Sequence, residues 1–183
     1  MRKSLVLAIA ALSTAGLAAL VPAAANAGTQ VNVNLTGGAL SITEPAAAVT
    51  LSGSVNVGTV LTQNLGSTTV SDARGTLAGW TVTAKTSGNL VGSGSNSISL
   101  GTAIVGGPLN LVTGAVTPNG ASLLGGVAAG AGGSLNPNAA ITVAAGALGF
   151  GGGSFSYNPT LTFTVPANTV ADNYSTVVTQ TVA

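Results

Sequence analysis

The chain has 183 residues, of which 46% are hydrophobic and only 4% are charged, and it contains neither histidine nor cysteine. This balance excludes classical disorder, which needs low hydrophobicity and high charge, and the lack of a basic patch excludes nucleic acid as a partner. Without histidine and cysteine, neither a Ser-His-Asp triad nor a zinc-type cluster can be assembled, so the sequence predicts a protein that is not an enzyme and has no metal or cofactor.

The first 27 residues have the pattern of a secretory signal peptide. Arg2-Lys3 is a basic start, Leu5–Val21 is mostly apolar, and Ala25-Asn26-Ala27 is a small-x-small cleavage site. We therefore predict a signal peptide over 1–27 and a single mature domain over 28–183, secreted and without membrane attachment after cleavage. An uncleaved N-terminal anchor is the alternative, but the apolar run is short against the ~20 residues of a membrane span.

Alternation of apolar and polar residues predicts short strands along the mature chain, because it places apolar side chains on one sheet face. In chain order these segments are 30–35, 49–55, 80–84, 97–100, 140–143, 161–165 and 175–182. Turn residues divide them at 37–38, 64–66, 92–96, 118–120 and 166–168. The pattern predicts an all-β fold, an immunoglobulin-like antiparallel β-sandwich with glycine-rich loops. Between 105 and 153, glycine-rich stretches predict long loops at one end of the sandwich.

The most informative segment is 70–84, which contains the only tryptophan, Trp80. It also holds Asp72 and Arg74, in a mature chain whose other charges are Glu44, Lys85 and Asp172. We expect one strand to end near Arg74, a turn to Gly79 and a second strand from Trp80. Two residues apart on a strand, Asp72 and Arg74 point to the same face, where they can pair or brace the turn. Trp80 is interpreted as a core residue or as an aromatic surface for a sugar ring.

The pattern V-S-D-x-R-G-x-x-A-G-W-T-V-T-A of residues 70–84 resembles the first signature of the WxL family, surface proteins of Gram-positive bacteria. The family's glycine-plus-aromatic segment is similar to residues 151–157, and its closing strand to 163–182. There, Gln180-Thr181-Val182 takes the place of Trp-x-Leu, without the Trp. The resemblance extends over about residues 45–183.

This resemblance implies a cell-wall-associated β-domain that binds peptidoglycan or another wall polymer. It makes candidate signature or wall-contact residues of Asp72, Arg74, Gly79, Trp80, Val82, Tyr174 and Val182. No LPxTG-type sorting signal precedes Ala183, so we expect either that attachment to the wall is non-covalent or that the protein is released.

The other charged residues and the uncharged strands of the sequence have interpretations of their own. Lys85 is expected to be an ordinary exposed lysine. Calcium bound by Asp72 and Asp172 is conceivable, although no Asp-rich loop supports it. The alternative function is a self-assembling structural subunit of a surface layer or fibre, because uncharged Thr- and Val-rich strands suit edge-to-edge pairing. The partners would then be other surface proteins or further copies of the chain.

Overall fold

A computed structural model of the protein describes residues 30–53, 56–100, 107–120 and 125–183. The chain divides into two compact units, residues 1–35 and 36–183. The predicted signal peptide, 1–27, lies outside the described residues. In the ranges that are described, no helix has the length and apolar character needed to cross a membrane.

All regular secondary structure in these ranges is β-strand, which confirms the predicted all-β class. The strands are β1 (Leu40–Thr43), β2 (Val60–Asn64), β3 (Thr68–Asp72), β4 (Trp80–Thr86), β5 (Leu90–Gly92), β6 (Ser97–Ile98), β7 (Leu109–Val112), β8 (Thr117–Asn119), β9 (Val127–Ala129), β10 (Gly133–Ser134), β11 (Ile141–Gly146), β12 (Gly153–Tyr157), β13 (Thr160–Thr164), β14 (Tyr174–Ser175) and β15 (Val178–Val182).

The strands form four antiparallel sheets. The A sheet has the order β1-β3-β12-β8, the B sheet β10-β7-β13-β2, the C sheet β15-β4-β11-β9 and the D sheet β14-β5-β6. The A and B sheets share three chain segments, since β2 continues into β3, β7 into β8 and β12 into β13. These segments break at the same level, where the Leu65 N–H donates to the Pro159 carbonyl at 2.8 Å and Gly114 lies against the Asn158 carbonyl. Strands that bend in this way pass from one sheet to the next.

The core lies between the sheets, which confirms the predicted antiparallel β-sandwich. Its members from the A sheet are Val70, Phe155 and Tyr157, those from the B sheet are Leu109, Leu111 and Leu161, and those from the C sheet are Trp80, Val82, Ala84, Val143 and Ala144. A bulge in β11 between Thr142 and Ala144 turns two successive residues inward, because the extra residue interrupts the alternation.

Several predicted strands are confirmed. Residues 80–84 lie in β4, 161–164 in β13 and 141–143 in β11, and the alternating run at 97–100 forms the short β6. The tail at 175–182 divides into β14 and β15 where Val177-Val178 interrupts its alternation.

Other predictions were wrong. Residues 30–35 form no strand, and neither do residues 49–53, the described part of the run at 49–55. Alternation alone does not make a strand, since a strand also needs a partner for its backbone groups. The described parts of 105–153 are not mainly long loops, because they contain the short strands β7 to β11, and Gly132, at a positive φ, lies in the short connection between β9 and β10. Pro118 lies in the edge strand β8, where proline is tolerated, and not in a turn.

Candidate functional site

The segment that resembles the first WxL signature forms a braced turn between β3 and β4, here called the signature turn (residues 72–80). The Asp72 carboxylate accepts hydrogen bonds from Arg74 Nε and Nη2, both at 2.9 Å, and from the Arg74 backbone N–H at 3.1 Å. Arg74 Nη2 also donates to the Gly79 carbonyl at 2.6 Å. Gly75 and Gly79 have φ of 71° and 75°, which glycine adopts without steric cost. The guanidinium joins both ends of the turn, so the predicted pairing of Asp72 with Arg74 is confirmed.

The ion pair is partly shielded from water. Asp72 is 4% exposed, and the Arg74 side chain is 27% exposed. The side-chain hydrogen bond from Arg74 lowers the pKa of Asp72 below its ordinary value of 3.8, although burial opposes this shift. The same bond raises the pKa of Arg74. Both groups are therefore charged at neutral pH, and they form hydrogen bonds with each other and with the backbone of the turn.

Trp80 lies in the core, and this confirms the interpretation of it as a packing residue. It is 3% exposed, and its indole N–H donates to the Gly151 carbonyl at 2.9 Å. The ring contacts Phe155, with centroids 5.9 Å apart. Gly146 and Gly151 lie so close that a Cβ on either would be 2.7 Å from the indole nitrogen. This burial leaves little of the ring for a sugar to stack on.

Gln180, which the resemblance to the WxL family would place at a second Trp, is also a core residue. The Tyr157 hydroxyl donates to Gln180 Oε1 at 2.7 Å, and Gln180 Nε2 donates to Glu44 Oε1 at 2.7 Å and to Thr68 Oγ1 at 3.3 Å. Burial raises the pKa of Tyr157 above its ordinary value of 10, and the negative charge of Glu44 raises it further. The Tyr157 hydroxyl is therefore neutral. This buried amide cluster joins the A sheet to the C sheet with its polar groups paired.

The remaining candidate signature residues lie in two places. Val82 is fully buried on β4, and its register partner on β15 is Val182, so both belong to the C sheet next to the signature turn. Tyr174 lies in the D sheet, where it pairs with Gly92 and its hydroxyl donates to the Val170 carbonyl at 2.9 Å. The structure therefore brings together six of the seven residues near the A and C sheets and leaves Tyr174 elsewhere.

Sequence reasoning missed the role of Asp172, which clamps the turn between β5 and β6. Its carboxylate accepts hydrogen bonds from the Ser93 hydroxyl at 2.5 Å, the Ser93 N–H at 3.1 Å, the Gly94 N–H at 3.0 Å and Asn96 Nδ2 at 3.0 Å. These bonds hold the pKa of Asp172 well below its ordinary value, and the bond from the Ser93 hydroxyl has the largest effect. The one available signal was the donor-rich run Ser93–Asn96, which lacks any acidic neighbour in sequence.

The calcium hypothesis gains no support from this arrangement. Asp72 is bonded to Arg74, whereas Asp172 is bonded to the β5–β6 turn, so each carboxylate serves a different segment. The described parts of the chain contain no group of three acidic, histidine or cysteine side chains that could hold a metal ion. Lys85 is exposed on β4, as predicted.

The outer surface of the A sheet carries a regular array of uncharged polar side chains, here called the hydroxyl face. One row across the four strands is Ser41, Ser71, Ser154 and Asn119, and the other is Thr43, Thr69, Ser156 and Thr117. Thr69 Oγ1 lies 3.0 Å from Ser156 Oγ, and Asn119 Nδ2 donates to Ser156 Oγ at 2.7 Å. Strand spacing puts neighbours in a row ~4.8 Å apart and the two rows ~6.8 Å apart.

A second surface feature is a groove beside β2, the outer strand of the B sheet, here called the β2 groove. It has a volume of about 790 Å³, and part of its wall is segment 45–53. Its apolar lining includes Leu51, Leu61, Leu65 and Phe163. These four side chains are only partly buried, so the groove is an incompletely covered edge of the core.

Comparison with known proteins adds no further identification. No protein-family model matches the chain, and a search of curated proteins finds no match. The resemblance to the WxL family therefore stays a prediction that rests on the residues of 45–183.

Proposed function

We propose that this protein is a secreted, non-enzymatic surface domain that associates non-covalently with the Gram-positive cell wall, with peptidoglycan as its ligand. The predicted signal peptide supports export, and the resemblance over about 45–183 supports the wall as its destination. The observation that carries the binding step is the hydroxyl face.

The hydroxyl face suits a polymer that is itself rich in hydroxyl and acetamido groups. Its two rows present donors and acceptors at regular intervals across four strands, and none of the eight side chains is charged. The signature turn lies at the end of β3, the second strand of this sheet, and its ion pair fixes that end. In this proposal the signature residues hold the binding face in shape, and the face itself contacts the glycan.

Sedimentation with purified sacculi tests the proposal. The wild-type protein is expected to pellet with sacculi and to be released by soluble wall fragments. Thr43→Val with Thr69→Val removes two hydroxyls from the face at nearly constant volume, and we expect weaker pelleting. The matched control is Thr83→Val with Thr181→Val, because this register pair on the outer C sheet also joins one exposed and one half-buried threonine. Equal pelleting of both variants would refute the role of the hydroxyl face, and failure of the wild type to pellet would refute wall binding.

A second candidate function is a self-assembling structural subunit. The observation that favours it is the exposure of Val31, Val33 and Leu35, at 79%, 75% and 88%. Three large apolar side chains at alternate positions form a patch that burial against a partner would stabilise. A purified subunit of this kind forms large species in the absence of wall material.

A further inference from the structure

We propose that residues 30–35, here called the N-terminal segment, add as an extra strand to the outer edge of β2 in a second copy of the chain. The inference rests on the second candidate function and names the elements that would join two copies. It uses three features of the described residues: an alternating segment without a strand partner, an open sheet edge, and the apolar β2 groove beside that edge.

The N-terminal segment has the side-chain pattern of a strand but pairs with no described strand. Val31, Val33 and Leu35 form one side, and Gln30, Asn32 and Asn34 form the other. All six residues are exposed, and none is charged. An extended segment of this pattern satisfies its backbone groups and buries its apolar side when it joins a sheet edge.

The edge of β2 has backbone groups that point away from its own sheet. At the end of β13, the Thr164 N–H donates to the Pro108 carbonyl on the β7 side, and the N–H of the next residue, Val165, donates to the Thr59 carbonyl on the β2 side. Because successive residues of a strand point to opposite sides, odd-numbered residues of β2 bond to β13. The outward backbone groups then belong to Val60, Thr62 and Asn64.

The side chains on the two sides of this edge match the two sides of the N-terminal segment. Leu61 faces the β2 groove, whereas Thr62 and Asn64 are exposed on the outer surface of the B sheet. An added strand that places its valines and its leucine over the groove also places its amides beside Thr62 and Asn64. Neither the segment nor β2 carries a charge, and inserted charge is the usual protection of an edge strand against such pairing.

Size-exclusion chromatography with light scattering, over a range of concentrations of the protein as exported, tests the pairing. We expect the wild type to form multimers as concentration rises. Changing Val31, Val33 and Leu35 together to Asn should raise the concentration for half-assembly at least ~tenfold. The matched control, Asn32→Ser with Asn34→Ser, alters the opposite side and should assemble like the wild type. If the Asn triple variant assembles like the wild type, the N-terminal segment does not form the contact between copies. The second candidate function would still stand in that case. If the wild type is monomeric throughout, both fail.

Cysteine cross-linking locates the contact, because the chain has no native cysteine to interfere. Asn32→Cys protein is mixed with Thr62→Cys protein and treated with a short bismaleimide. The inference predicts a mixed dimer that forms faster than with Thr142→Cys, an exposed position on the C sheet. Equal rates for the two mixtures would overturn the assignment to β2. Sacculus pelleting of the Asn triple variant separates the two functions, since wall binding through the hydroxyl face does not need assembly.

Discussion

Replacing Trp80 by alanine is expected to destabilise the fold. The substitution empties a core site between the A and C sheets, removes the contact with Phe155 and leaves the Gly151 carbonyl without its indole donor. Truncation of a buried Trp costs about 3–5 kcal/mol, a large part of the ~5–15 kcal/mol that holds a domain of this size. At ~2–4 °C per kcal/mol, the melting temperature should fall by roughly 6–20 °C. Trp80→Phe keeps most of the apolar area and should cost about 1–3 kcal/mol, chiefly for the unpaired carbonyl.

Urea unfolding followed by far-UV circular dichroism measures these costs, because the variants lack the only tryptophan that could serve as a fluorescent probe. Lys85→Ala is the matched control, since Lys85 is exposed on the same strand and should change stability by less than ~0.5 kcal/mol. Sacculus binding is then measured under conditions in which every variant is folded. A Trp80→Ala protein that unfolds like the wild type but loses wall binding would refute the core role and make Trp80 a ligand contact.

The other predictions concern polar groups. The pKa values of Asp72 and Asp172 are lowered in the folded state, so these carboxylates stabilise the fold at pH values above the ordinary pKa of 3.8, and this stabilisation is lost as the pH falls through their folded-state pKa values. Urea titrations at a series of acidic pH values should show the loss. The stability of the Asp172→Asn variant should depend less on pH than that of the wild type. Arg74→Met should lower the free energy of unfolding, because it leaves the shielded Asp72 carboxylate without its ion-pair partner. In a double-mutant cycle, adding Asp72→Asn should recover part of this free energy. If the free-energy changes of the two single variants simply add, the pair does not contribute to stability. Gln180→Leu should cost about 1–3 kcal/mol because it removes the buried amide that accepts from the Tyr157 hydroxyl, and an unchanged urea midpoint would contradict this.

The features that could be predicted from the sequence depend on contacts between residues close along the chain. Asp72, Arg74 and Gly79 lie within eight positions, so strand periodicity and a turn were enough to predict the brace. β4 and β13 were also predictable, because their alternation coincides with pairing on both sides.

The features that could not be predicted depend on distant partners. Asp172 bonds to a turn 76 to 79 residues away, and no local pattern announces that contact. In the sequence, Gln180 is one polar residue in a tail rich in β-branched residues. Its amide is nevertheless buried, because it forms hydrogen bonds with Tyr157 and Thr68 of the A sheet. The N-terminal segment shows the reverse error. Its alternation is as regular as that of β4, yet only an available partner edge decides whether such a segment pairs.

The positions of Trp80 and Gln180 bear on the resemblance to the WxL family, which would place a second Trp at Gln180. If both tryptophans of the family touched the ligand, Gln180 would remove half of the binding site. Here Trp80 is a core residue, and Gln180 occupies a core position with its hydrogen bonds satisfied. The conspicuous residues of the sequence thus pack the sandwich, and the proposed binding surface consists of side chains with no unusual composition. Ser and Thr of the hydroxyl face are common residues in this chain, and only their register across β1, β3, β12 and β8 sets them apart.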